Sequence, residues 1–89
     1  MSEMPKHRSK IEIMYTILKV LRESETEVKK THLMYLVGLN YDVFSKYISR
    51  IEKLGLVRVN KEGYSLTDSG KRELEMIENY LTIERKLKG

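Results

Sequence analysis

The stretch KTHLMYLVGLNYDVFSKYISRIEKLG, residues 30–55, holds two amphipathic runs separated by a sharp break. Thr31 is placed to cap the first run, since its hydroxyl can accept from an orphan N–H at a helix start. That short helix passes through His32 and Leu33 to Val37 and stops at Gly38, which tolerates a left-handed backbone. Asn40 can cap the next helix, so only Gly38 and Leu39 form the turn. The longer run goes from Tyr41 to about Leu54, with Phe44, Ile48 and Ile51 on one face and Tyr47 and Leu54 at its margin. At about 100° per residue, Asp42, Lys46, Ser49, Arg50 and Lys53 project from the opposite face. A short helix, a tight glycine turn and a longer helix with a polar, basic outer face read as a helix-turn-helix.

Upstream, Ser9-Lys10-Ile11-Glu12 has the S-x-x-E spacing of a capping box and marks the start of a first helix. Ile11, Met14, Leu18 and Leu21 form its core stripe, widened by Tyr15 and Ile17, while Ile13 and Val20 fall outside as a second, narrower face. Glu23 to Glu27 is a polar connection, and Val28 can add a short strand. Downstream, Leu56 to Asn60 alternates, Lys61-Glu62-Gly63 forms a turn and Tyr64 to Leu66 returns, which predicts a β-hairpin, or wing. Thr67 caps a final helix from Asp68 to about Leu87. The fold expected is mainly α with a small β-hairpin (α+β): a winged helix-turn-helix over 1–67 with a basic N-terminal arm, followed by a helix over 68–89.

That final helix carries two apolar stripes. Leu74, Ile77 and Leu81 can cover the domain, whereas Met76, Tyr80, Ile83 and Leu87, spaced four, three and four apart, find no partner within so short a chain. The second stripe is assigned to the same helix of another copy, a homodimer interface, with a single wide intramolecular stripe as the alternative. With 89 residues and no Cys, the chain has one small core and no disulfide to supplement it, which also favours a partner subunit.

The net charge of +4 is unevenly spread. Lys29 to Lys61 holds seven basic and two acidic residues, whereas Asp68 to Gly89 holds five of each. A basic middle beside a neutral tail fits a polyanion-facing surface, although charge alone does not separate that from a solvated face. The major groove of double-stranded DNA admits an α-helix, so the outer face of the longer helix is the candidate reader. Arg50 can bond a guanine edge bidentately or meet a phosphate. Asp42 either favours the positive end of the helix dipole or contacts a cytosine. Tyr41 either donates to a phosphate or shields the turn. Lys29, Lys30, Thr31 and His32 surround a helix N-terminus that can face a phosphate, and Arg58, Asn60 and Lys61 put the wing beside flanking backbone. His7, Arg8 and Lys10 form the basic arm.

The sequence has no Gly-rich phosphate loop, no nucleophile motif and no carboxylate pair near a histidine, and His7 and His32 have no metal-ligand spacing. The expectation is therefore no enzyme, cofactor, metal or small-molecule ligand. No apolar run reaches the ~18 residues of a membrane span, and the first residues lack a signal peptide's apolar stretch, so a cytoplasmic, nucleoid-associated protein is expected. Lys and Glu occur eleven times each, while Gln, Cys, Ala and Trp are absent, a bias found in proteins of hot environments.

Several blocks also resemble a family, in order: Arg8-Ser9-Lys10-Ile11-Glu12-Ile13, Lys30-Thr31-His32-Leu33-Met34-Tyr35, Leu39-Asn40-Tyr41 with Lys46-Tyr47-Ile48, Leu54-Gly55-Leu56-Val57, and Tyr64-Ser65-Leu66-Thr67 with Gly70. Together they look like the archaeal winged-helix regulators, a group that includes small Sulfolobus DNA-binding proteins of chromatin type. The resemblance covers about Arg8 to Leu74 and implies DNA binding and dimerisation through an antiparallel coiled coil of C-terminal helices. It leaves gene regulator and chromatin protein both open. The rival reading is a winged-helix module that holds another protein with the same faces.

Overall fold

The computed structural model describes residues 9–88. His7 and Arg8, from the basic arm, lie outside the described residues. The elements in chain order are α1 (Lys10–Glu23), α2 (Lys30–Val37), α3 (Tyr41–Lys53), β1 (Val57–Asn60), β2 (Gly63–Leu66) and α4 (Asp68–Lys88).

Local chemistry accounts for most of the boundaries. The capping box forms at Ser9, whose hydroxyl accepts from the Glu12 N–H while the Glu12 carboxylate accepts from the Ser9 N–H. Gly38 ends α2 at φ 77°, and the N–H groups of Gly38 and Leu39 return to the carbonyls of Tyr35 and Met34. That pair of bonds is the Schellman closure, which occupies the last carbonyls and turns the chain at once. Asn40 Oδ1 then accepts from the Val43 N–H at 2.9 Å and starts α3.

The start of α2 differs from the sequence expectation. Its N-cap is Lys29, with no side-chain cap, and Thr31 stands inside the first turn. The cause is long-range. Val28 exchanges two backbone hydrogen bonds with Tyr64, at 2.9 and 2.8 Å, and Lys29 Nζ donates to the Lys61 carbonyl at 2.8 Å. With these two residues held extended against the wing, the helix begins at the first position free to turn.

The wing pairs β1 and β2 antiparallel, Val57 with Leu66, Arg58 with Ser65, Val59 with Tyr64 and Asn60 with Gly63. The connection is thus two residues, Lys61 and Glu62, and Gly63 belongs to the strand rather than to the turn. Thr67 fastens three elements. Its hydroxyl accepts from the Gly70 N–H and so caps α4, while donating to the Gly55 carbonyl beyond α3, and its N–H bonds the Leu56 carbonyl.

The core gathers Ile17, Leu18, Leu33, Phe44, Ile51 and Leu74, all fully buried, from four helices. Ile13 joins it at 7% exposure instead of forming a separate face, because α1 is enclosed by α2, α3, α4 and β2. Tyr47 is also buried, whereas its expected companion at the margin, Leu54, is exposed. Leu74 and Ile77 of α4 pack inward with Leu81 beside them. Met76, Tyr80, Ile83 and Leu87 stand out, from 50% to 83% exposed.

Candidate nucleic-acid interface

Burying Phe44, Tyr47, Ile48 and Ile51 fixes the rotation of α3, and this leaves Asp42, Lys46, Ser49, Arg50 and Lys53 all exposed. Among the described residues, neither Lys46 nor Lys53 forms an ion pair with a carboxylate. Cations left unpaired among the described residues are available to an external anion without first breaking a contact there. Asp42 lies in the first turn, where its charge favours the helix dipole.

Two rings hold two of the cations. The Arg50 guanidinium carbon lies 5.6 Å from the centroid of the Tyr47 ring, three positions earlier on the same helix. Lys30 Nζ lies 5.4 Å from the centroid of the Tyr41 ring and thus bridges the start of α2 to the start of α3. Such cation–π contacts are worth about 0.5–1 kcal/mol at exposed sites, enough to bias a long side chain's direction. The apolar pattern of the sequence puts Tyr47 only at the margin of α3, although its i, i+3 spacing to Arg50 is a recognisable signal.

The remaining candidates are exposed as well: Lys29, Lys30, Thr31 and His32 at the start of α2, and Arg58, Asn60 and Lys61 on the wing. Not all are equally free. Lys29 is committed to the Lys61 carbonyl, which brings the start of α2 and the wing turn together. Asn60 Oδ1 accepts from the Glu62 N–H at 2.8 Å and shapes the hairpin turn. Neither tie was visible in the sequence.

Among the described residues no group of three or more His, Cys, Asp or Glu is arranged to hold a metal ion, and no helix is long and apolar enough to cross a membrane.

The family model described as winged helix-turn-helix matches residues 7–85. Two uncharacterized proteins of Methanocaldococcus jannaschii are similar in sequence. MJ0287 is 38% identical over 65 residues, covering 73% of this chain and 65% of that protein. MJ0290 is 37% identical over 76 residues, covering 85% of this chain and 35% of that protein. In both cases the chain spans less than two thirds of the relative's own length. Among solved structures, Sso10a-2, a DNA-binding protein from Sulfolobus solfataricus, matches with a TM-score of 0.77 and 32% identity, covering 90% of this chain and 85% of that one. With helix, turn, helix and wing in this order, and with matches running almost from end to end, the chain belongs to the winged helix-turn-helix family, among its archaeal members.

Proposed function

We propose that the chain binds double-stranded DNA as a homodimer, with α3 in the major groove and the wing on flanking backbone, in the role of a transcriptional regulator or a nucleoid-associated protein. One observation carries the reading: the outer face of α3 is basic, exposed and unpaired by carboxylates among the described residues. The similarity to Sso10a-2, described as DNA-binding, supports it. Arg50, held against Tyr47, is the candidate for a guanine edge, and a lost bidentate base contact costs about 1–3 kcal/mol. Lys46, Lys53, Lys30, Arg58 and Lys61 serve the phosphates, with Ser49, Thr31, His32 and Tyr41 as polar contacts around them.

The dimer is assigned to residues 68–89, through Met76, Tyr80, Ile83 and Leu87. Their spacing reads the same from either end of the helix. An antiparallel partner would therefore set Met76 against Leu87 and Tyr80 against Ile83, covering a stripe one subunit leaves wet.

The test replaces Lys46 and Arg50 together by Ala. Duplex affinity is expected to fall at least tenfold with the circular dichroism spectrum unchanged, since exposed substitutions usually alter stability by less than about 0.5 kcal/mol. Unchanged affinity in a folded double variant would move the DNA surface elsewhere. A protein-docking role has one observation in its favour, the exposed Tyr35 and Leu36 on α2. It predicts partner binding that resists salt, where DNA binding does not.

A further inference from the structure

The last packed turns of α4 contain the one ion pair formed among the described residues, and it links α4 to the far end of the domain's first helix. Arg22 lies in the last turn of α1, and its two terminal nitrogens donate to the two carboxylate oxygens of Glu78, Nη1 to Oε1 at 3.1 Å and Nη2 to Oε2 at 2.8 Å. A two-bond guanidinium–carboxylate fork fixes orientation as well as separation.

Glu78 sits beside Ile77, the last buried residue of α4, and ahead of Leu81, the last that packs against the core. Beyond it the helix carries the exposed Ile83 and Leu87. The base of the same helix is held separately. Thr67 caps it, and Gly70 lies so close to the wing that a Cβ there would collide with the carbonyl of Leu56, just ahead of β1, and with the side chain of Leu66 in β2. Gly70 and Glu78 are about 12 Å apart along the axis at 1.5 Å per residue. A stiff rod held only at its base and by apolar side chains can still roll and tilt, because apolar contact is weakly directional. A second, directional hold removes that freedom.

We propose that Arg22 and Glu78 are positioning residues that fix the direction in which α4 leaves the winged domain, and so set the separation between the two copies of α3 in the dimer. The inference rests on the homodimeric DNA-binding reading above. In a two-fold assembly joined through α4, any tilt between α4 and its own domain appears twice, and half-sites on DNA must match the resulting spacing.

The chain contains no cysteine, so Glu52→Cys, on the exposed part of α3 and outside the proposed DNA contacts, gives a single spin-label site per protomer. Pulsed dipolar spectroscopy then reads the distance between the two labelled helices. The intact pair is expected to give one narrow distribution. Arg22→Met, and Arg22→Lys, which keeps the charge without the fork, should each at least double its width while circular dichroism stays native, and duplex affinity should fall severalfold. Exchanging the partners, Arg22→Glu with Glu78→Arg, should restore most of the narrow width. A distribution that stays narrow in Arg22→Met overturns the proposal while leaving dimer and DNA binding intact. Broadening that the exchange does not repair overturns the assignment to the ion pair. No dipolar signal in the otherwise unchanged chain would remove the dimer, and this proposal with it.

Discussion

At Gly63 the backbone takes φ 133°, and a Cβ placed there would stand 2.5 Å from the Val28 carbonyl oxygen. Gly38 also has positive φ, 77°, but a Cβ there would meet nothing within 4 Å. The two substitutions should therefore differ. Gly38→Ala is expected to cost about 1–2 kcal/mol, the penalty of a left-handed L-residue, and Gly63→Ala about 1–3 kcal/mol more from the added overlap. Urea titrations of both variants check this, and equal losses would show that the wing does not depend on its close approach to Val28. The same two residues show what a sequence discloses. Gly38 was legible because its role is settled by neighbours in the chain, the carbonyls of Met34 and Tyr35. Gly63 reads as a turn residue in the sequence because the bridge residue that crowds it, Val28, is far away in sequence. Thr31 has the chemistry of a cap but does not serve as one for the same reason, since the start of α2 is decided by the hold of the wing on Val28 and Lys29.

The elements themselves were legible wherever a periodic apolar pattern coincided with a cap. Ser9 with Glu12, Asn40 with Val43 and Thr67 with Gly70 all form as the spacing predicts. The facing of α1 was less so, because Ile13 is buried by enclosure from several sides and a single-stripe pattern cannot express that. The basic face of α3 followed from that helix's own pattern, and Tyr47 three positions before Arg50 is a spacing the sequence itself carries, whereas the Lys30 contact with Tyr41 and the Lys29 tie to the wing needed the folded chain. The pairing of α1 with α4 through Arg22 and Glu78 was likewise unreadable. It has a consequence for pH. The Glu78 carboxyl is held below its ordinary value of 4.5, first by the hydrogen bond from Arg22, against a smaller opposing effect of burial, with the charges of Arg22 and Lys19 adding to the lowering. A depressed folded value means that the contribution is complete above the ordinary carboxylate range and disappears as the pH falls through the folded value. With both partners about a third exposed, solvent limits it to the 0.2–1 kcal/mol typical of surface pairs. Thermal melts between pH 7 and pH 3 should show a shallower acid-side loss for Glu78→Gln than for the unsubstituted chain, and parallel curves would contradict the pairing in solution.

On the scale of the whole molecule, α4 divides its work along its length. Leu74 and Ile77 complete the core, while Met76, Tyr80, Ile83 and Leu87 face away from it. Replacing Tyr80 and Ile83 by Lys puts two charges into the proposed seam without touching a core residue, and a charge in an apolar contact is strongly unfavourable. Sedimentation at micromolar concentration should give a dimer for the unsubstituted chain and a folded monomer for the double variant, with weaker duplex binding because linked sites raise each other's effective concentration. A dimer that survives both lysines would mean that another surface joins the subunits. The proposed function requires that the basic face of the molecule meet DNA. A titration of the chain against duplex DNA across a series of salt concentrations tests that most directly. With Lys30, Lys46, Lys53, Arg58 and Lys61 offered to the backbone, log K should fall linearly with log salt at a slope of about −2.7 or steeper, from about 0.9 per neutralised phosphate and at least three engaged. No duplex binding at low salt, or binding indifferent to salt, would contradict the account.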